Sequence, residues 1–315
     1  MNNFLFSVNV VAPLFVLMAT GYFSRKIKFV SESFLADLNK FVFKFCLPIM
    51  LFSDIWGSYK GDFSNTRLIF TAVLGTLAVI AIAFCIVPLF IKGKAQRGSM
   101  IQGIYRSNFI IYGLPLATGM YGQDAVATIS MLMGIMIPLY NVAAVIILST
   151  FSETGTHKVT FKSIVKDVVT NPLILGCFFG LLAGATHLKL PEFVHSPLNM
   201  FAAIGTPLAL FVMGGEFKFS HLGGDILKVI SATTARLIIV PLIAVSIFVL
   251  MGFRNVELSV LLSIFATPTA MASYIMSKNM GCDGQLSAQI VVLTTACSCF
   301  TIFLFIFVLK SMGYI

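Results

Sequence analysis

Hydrophobic runs dominate the chain, and their lengths predict its elements. A helix needs about 20 predominantly apolar residues to cross a bilayer, and runs of that kind fall at 4–23, 34–55, 67–91, 99–121, 125–150, 171–188, 197–217, 226–252, 256–279 and 286–309. About ten membrane-spanning helices with short polar connections are therefore expected. The longest polar segment, Phe151 to Thr170, separates the first five runs from the last five. The chain thus divides into residues 1–150, a linker over 151–170, and residues 171–315. The predicted fold class is an all-α polytopic membrane protein.

Two runs are interrupted in the middle: Arg106 to Gly122 carries Gly113-Leu114-Pro115, and Leu261 to Gly281 carries Thr267-Pro268-Thr269. Proline removes a backbone donor and clashes one turn back, and a membrane tolerates the freed carbonyls only inside protein or around a polar cavity. Interrupted segments at corresponding places in two halves are the sequence pointer to a transporter's binding site. Gly113 suits the left-handed end of one half-helix and Pro115 the first turn of the next. Thr267 reads as an N-cap, with Pro268 at the first helical position. Helix N-termini near the midplane present free N–H groups and a positive dipole end, which favours an anionic group such as a carboxylate. A simple kink is the alternative for either proline alone; their pairing favours a site.

A repeat supports that pairing. Pro13-Leu14, Gly21, Pro48 and Leu51-Phe52 recur as Pro172-Leu173, Gly180, Pro207 and Leu210-Phe211, each pair 159 positions apart. Register is lost later, where Pro115 and Pro268 lie 153 positions apart. Lysine and arginine concentrate in cytoplasmic loops. One alternating set of loops holds Arg25, Lys26, Lys28, Lys92, Lys94, Arg97, Arg106, Lys158, Lys162, Lys166, Lys218, Lys228 and Lys278; the other holds Lys60, Arg67, Lys189, Arg254 and Lys310. Both termini are accordingly expected outside the cytoplasm and the 151–170 linker inside it. With five spans in each half, the two halves are inverted repeats and their broken helices run antiparallel, in the manner of secondary transporters.

Composition agrees. Hydrophobic residues make up 58% of the chain and charged residues 10%, against roughly 45–50% and 25% in soluble domains. The net charge of +9 sits in loops beside apolar runs, where it sets topology and gives no reason to expect nucleic acid. Cys46, Cys85, Cys177, Cys297 and Cys299 lie in apolar runs and Cys282 in a short loop, with no CxxC or Cys/His spacing, so neither a disulfide framework nor a metal site is predicted. The first run starts almost at once, without a basic leader or cleavage site, and reads as an uncleaved span. No GxxxxGK[ST], HExxH or GxSxG occurs, and His157, His187, His195 and His221 all lie in loops. No catalytic residue, cofactor or ATP coupling is assigned.

Polar side chains gather near the breaks: Asn108, Tyr112, Thr118, Thr269 and Ser273, with Tyr140 and Asn141 after Pro138. Each either contacts a ligand or ion or satisfies a helix–helix hydrogen bond. Arg236 lies mid-span, where an unpaired charge costs at least about 2.5–3.5 kcal/mol, and so requires a partner or water. Asp37, Lys40 and Lys44 share one helical face at three- and four-residue steps. Lys40 and Arg106 read as cations snorkelling to the inner headgroups, Asp37 with Lys44 as a candidate gate, and Glu216 as interfacial. No deeply placed acid marks a proton site; membrane voltage, proton and sodium all stay open as driving forces.

Three stretches resemble the auxin efflux carrier family: LNKFVFKFCLPIMLF (Leu38 to Phe52), the R-x-N-x-x-x-x-G-x-P run of Arg106, Asn108, Gly113 and Pro115, and Thr267-Pro268-Thr269 with Ser273. That family includes plant auxin exporters and bacterial malate and malonate permeases, and is similar to bile acid:sodium symporters. The resemblance spans essentially the whole chain. It implies two crossing broken helices, a transport domain of spans three to five and eight to ten, a scaffold of spans one, two, six and seven, elevator-type movement and a homodimer in the cell membrane. The asparagine-proline-asparagine-threonine signature of the plant exporters is replaced here by Leu114-Pro115-Leu116 and Thr267-Pro268-Thr269, which argues against auxin as the substrate.

The expectation is a secondary transporter of a small organic anion, a mono- or dicarboxylate such as malate or malonate. Its predicted site comprises Asn108, Tyr112, Gly113, Pro115, Asn141, Thr267, Pro268, Thr269 and Ser273, with Arg236 balancing charge. The rival classes are a ligand-binding membrane sensor that does not transport, and an intramembrane enzyme.

Overall fold

The computed structural model describes residues 2–58, 65–109, 112, 120–153, 165–166, 169–216 and 222–315. Among them no β-strand occurs, and every predicted run has a helical counterpart. In chain order these are α1 (Asn2–Lys26), α2 (Glu32–Phe41), α3 (Leu47–Ser58), α4 (Thr66–Phe90), α5 (Lys94–Tyr105), α6 (Gln123–Phe151) and α7 (Pro172–Ala185). Then follow α8 (Glu192–Glu216), α9 (Leu222–Thr234), α10 (Val240–Leu250), α11 (Asn255–Ala266), α12 (Ala272–Asn279) and α13 (Gly284–Ser311). Four stretches, Thr66–Phe90, Met131–Phe151, Glu192–Glu216 and Ile226–Leu250, are long and apolar enough to cross a membrane, and the pair Gly284–Ser298 and Phe300–Ser311, bent by 42°, makes a fifth. The protein is all-α and polytopic.

Local chemistry sets the helix ends. Asn65, Asn171 and Asp283 cap α4, α7 and α13 by accepting from the backbone N–H of Leu68, Leu173 and Leu286 at 3.2, 2.9 and 2.9 Å, and Pro172 occupies the first turn of α7. Among the described residues two spans carry a π-helical turn: Val42–Cys46 joins α2 to α3, and Ala235–Ile239 joins α9 to α10. Pro48 and Pro241 follow these turns closely. A proline breaks the hydrogen-bond ladder one turn before itself, and a wider turn takes up the mismatch.

The packing explains why the repeated glycines recur. A Cβ on Gly21 of α1 would run into the Phe211 carbonyl of α8, and one on Gly180 of α7 would come 2.9 Å from the Phe52 carbonyl of α3. These two contacts exchange under the 159-residue repeat, since Gly21 corresponds to Gly180 and Phe52 to Phe211. Gly214 and Gly176 approach the Met18 and Pro48 carbonyls in the same way. Small residues thus bring backbones together where lipid supplies no hydrophobic drive. On the outside, α4 presents Phe70, Leu74, Ile82 and Leu89 outward, and α10 presents Leu242, Ile243 and Ile247, as lipid-facing helices do.

Candidate functional site

The α5 helix stops at Tyr105 and α11 at Ala266, and the two chains then cross in extended conformation. Pro268 drives the second break: the residue before a proline is pushed out of the helical region, and Thr267 has φ −76°, ψ 156°. Ser107 and Thr269 form an isolated antiparallel bridge. The Asn108 N–H donates to Pro268 O at 2.9 Å, the Ala270 N–H to Arg106 O at 3.0 Å, and the Ser107 and Thr267 hydroxyls meet at 2.7 Å. Thr269 Oγ1 donates to Gly103 O at 2.6 Å. Thr267 therefore ends α11 and does not cap α12, as its sequence position had suggested; α12 begins after Met271.

Arg236 holds this crossing from behind. Its Nε donates to Thr267 O at 2.8 Å, Nη2 to Ile264 O at 3.0 Å, and Nη1 to Tyr105 O and Ile104 O at 3.2 and 3.3 Å. These are carbonyls of two helix C-termini, which lack helical partners and carry the negative dipole end. The guanidinium answers both, which is the partner that a cation 1% exposed requires.

In front of the crossing lies a cavity of about 100 Å³, room for several waters or a small organic ion. Arg106, Ser107 and Asn108 line it from the first crossing strand, Ala270, Met271 and Ala272 from the start of α12, and Ile137, Tyr140 and Asn141 from α6. From the other side come Leu47, Met50, Leu51 and Asp54 of the second span, with Thr206 and Ala209 of α8. Arg106, expected at the headgroups, is 4% exposed. Its Nη2 donates to Asn141 Oδ1 at 2.9 Å. Gln102 is satisfied when its amide oxygen accepts from Arg106 Nη1 at 3.0 Å and its nitrogen donates to Ser273 O at 3.2 Å and Ser277 Oγ at 3.0 Å. No carboxylate stands within ion-pair distance of Arg106 among the described residues. Asn108 Nδ2 is buried at the cavity and makes no hydrogen bond.

A family described as membrane transport protein matches residues 6–153 and 152–306. The chain belongs to that family. Its curated relatives include an uncharacterized transporter of Methanocaldococcus jannaschii, 24% identical over 314 residues, covering 96% of this chain and 99% of the relative. A Rhizobium meliloti (strain 1021) protein named "Putative malonate transporter" is 22% identical over 307 residues, 96% and 95% of the two chains. Auxin efflux carrier component 5 of Arabidopsis thaliana is 24% identical over 324 residues, 87% and 88% of the two. The resemblance to auxin efflux carriers thus holds, and the protein is a multi-pass membrane transporter, not an enzyme.

Within this transporter the predicted site residues separate into three groups. Asn108 and Asn141 line the cavity. Thr267, Thr269 and Arg236 are buried in the frame of the crossing; Pro268 contributes its carbonyl there, and Ser273 is buried behind it with an unpartnered hydroxyl. Tyr112 is buried, its N–H bonded to Asn108 O at 3.2 Å; Gly113, Pro115 and Thr118 lie outside the described residues. The gate pairing of Asp37 with Lys44 is not what the structure shows: Asp37 pairs with Lys40 at 3.2 Å, both exposed. Lys44, exposed like Asp37, lies seven residues on, about 10 Å along a helix, whereas Lys40 is one turn away and within reach. Sequence reasoning passed over Asp54 and misplaced Arg106, which was read from its distance along a span.

Glu216 is likewise more than interfacial. Its carboxylate binds the Lys278 ammonium and the Tyr274 hydroxyl of α12, and Asn39 Nδ2 donates to the same hydroxyl at 3.4 Å. Arg25, Glu32, Glu216, Tyr274 and Lys278 line a second cavity of about 390 Å³ there. Among the described residues no cluster fits a metal ion.

Proposed function

We propose that this protein is a secondary transporter of a small organic anion, a mono- or dicarboxylate of the malate or malonate kind, bound in the cavity before the crossing. The observation that carries this is Arg106: a buried guanidinium turned to neutral partners at a cavity that also holds the unpartnered Asn108 amide. A cation buried with no counter-ion needs an anion to complete it. The name of the Rhizobium relative agrees with a dicarboxylate. Voltage, proton and sodium are the candidate driving forces.

The mechanism we read is elevator-type alternating access by two inverted halves, residues 1–150 and 171–315, joined by 151–170. The reciprocal glycine contacts at the 159-residue repeat support the inversion. The moving body is taken as spans three to five and eight to ten. In its favour, every bond across the crossing joins residues of those spans: Arg236 to Thr267, Ile104 and Tyr105, Ser107 to Thr267, Thr269 to Gly103. Polar links from it to spans one, two, six and seven are concentrated where Asn39 and Glu216 meet Tyr274, Lys278 and Asn279, a latch that movement would open. By resemblance the assembly is a homodimer in the cell membrane, and the distribution of loop lysines and arginines favours both termini outside the cytoplasm.

The test is uptake of radiolabelled malonate and malate by proteoliposomes containing the full chain. Saturable, protein-dependent uptake is expected, with Arg106→Gln weakening it about a hundredfold, the loss of two charge-assisted bonds at roughly 1.5 kcal/mol each. Binding of malonate without flux would instead make the protein a sensor.

A further inference from the structure

The same cavity holds a negative group. Asp54, half-buried on α3, lines it opposite Arg106 and makes no hydrogen bond or ion pair among the described residues. Its neighbours offer no counter-ion. From α6 the titratable group is Tyr140, from α7 it is Cys177, and from α8 Glu192 and His195 lie at the near end, paired with each other at 3.8 Å, with the His195 ring against Trp56. Lys44 lies in the π turn ten residues before Asp54, exposed, and Glu216 ends α8 at the end away from Glu192 and His195. Arg106 is the cation across the cavity; one of its N–H groups goes to Asn141 and one to Gln102, both neutral, so its charge is not cancelled by Asp54 or by them. An anion entering beside Arg106 therefore brings its charge into a space of about 100 Å³ that Asp54 shares. Two like charges in so small a site repel, and a carboxylate in that position neutralises by taking a proton.

We infer that Asp54 binds a proton when the anion binds, so that substrate affinity at this site is linked to pH. This rests on the anion site proposed above. The proton comes from bulk water onto the Asp54 carboxylate and returns there when the anion leaves; no other bond changes. Because Asp54 lies on the second span and Arg106 on the fourth, an elevator movement carries the anion away and leaves the proton behind. Acid on the side where the two face each other then speeds loading without the proton crossing with the substrate.

The test is titration of malonate into the purified full chain between about pH 6.5 and 8.5, where a carboxylate probe is ionised, with proton uptake read by an indicator dye in weak buffer. Wild type should lose affinity as pH rises, approaching tenfold per unit for one linked proton, and take up close to one proton per malonate bound. Asp54→Asn, the neutral mimic, should bind with pH-independent affinity, bind more tightly than wild type at about pH 8.5, and take up no proton. The gain in binding separates this from a folding defect. His195→Gln should keep the wild-type proton uptake. Wild-type binding that is independent of pH, proton uptake that persists in Asp54→Asn, or binding that needs sodium at fixed pH overturns the inference and leaves the anion site standing. Failure of wild type to bind malonate or malate at any pH overturns both.

Discussion

Replacing Arg236 by methionine separates framing from binding. The side chain keeps an unbranched apolar stem, ends short of the guanidinium and loses every donor, which leaves the carbonyls of Thr267, Ile264, Tyr105 and Ile104 without the guanidinium that now serves them. Four bonds from a charged donor, at roughly 1.5–3 kcal/mol each, set a gross loss of about 6–12 kcal/mol. Against this, the variant no longer buries a cation, which returns at least about 2.5–3.5 kcal/mol, and the frayed helix ends relax. A net loss of about 3–5 kcal/mol is expected, the range for removing one side of a buried ionic contact. The thermal midpoint in detergent should fall on the order of 10 °C. Arg236→Lys keeps the charge but not the planar fork, so it should lie between. The malonate affinity of the folded fraction should change less than threefold in both, because no Arg236 donor reaches the cavity. A wild-type midpoint for Arg236→Met together with a tenfold or greater loss of affinity would refute the framing role and return Arg236 to the binding site.

Two further tests follow from packing and from a thiol. Gly21→Ala should cost about 1–3 kcal/mol, and more than Gly180→Ala, since its Cβ meets a backbone carbonyl more closely; Gly57→Ala, with nothing within 4 Å, is the neutral control, and midpoints in detergent rank the three. Cys282, in the loop between α12 and α13, has its thiol pushed up to about 12, chiefly by burial and then by Glu153 and Asp283. A raised value keeps it protonated at about pH 7.5, so maleimide should modify it only after unfolding in detergent; rapid labelling of the native protein would contradict the burial.

The spans were legible because a bilayer demands long apolar runs, and Pro268 announced its break because proline constrains the residue before it. Gly21 and Gly180 could be read as repeat markers, but not as backbone contacts, since small residues have several uses in membranes. Arg106 was misread for a specific reason. Its place along the run put it near the inner interface, but α5 ends one residue earlier and turns it inward, a fact of the crossing and not of hydropathy. Asp54 lay unremarked near the end of its run, as an ordinary interfacial acid would. The sequence has no signal for a cavity shared between the second and fourth spans, because that distance is purely tertiary. Asp37 meets Lys40 and not Lys44 because three residues bring two side chains within one turn, while seven put them about two turns apart even on a shared face.

The start of α12 and the Arg106 guanidinium would serve an anion unequally, and magnitudes say which decides. The expectation from sequence gave the work to helix N-termini. At α12, however, the first-turn donors are partly spent: the Ser273 and Tyr274 N–H groups donate to Ala270 O and Met271 O at 3.0 and 3.1 Å, and the Thr269 N–H to Thr294 Oγ1 at 3.2 Å. A helix terminus contributes about 0.3–1 kcal/mol toward an anion when exposed and up to about 2 when partly buried. A guanidinium offers roughly 1.5–3 kcal/mol for each charge-assisted bond, and it is lined up by Asn141 and Gln102 before any ligand arrives. Selectivity for a carboxylate should therefore follow Arg106 and its two amide partners more closely than the prolines that first drew attention to the crossing. Pro268 shapes the crossing, and the arginine gives the cavity in front of it a charge to answer.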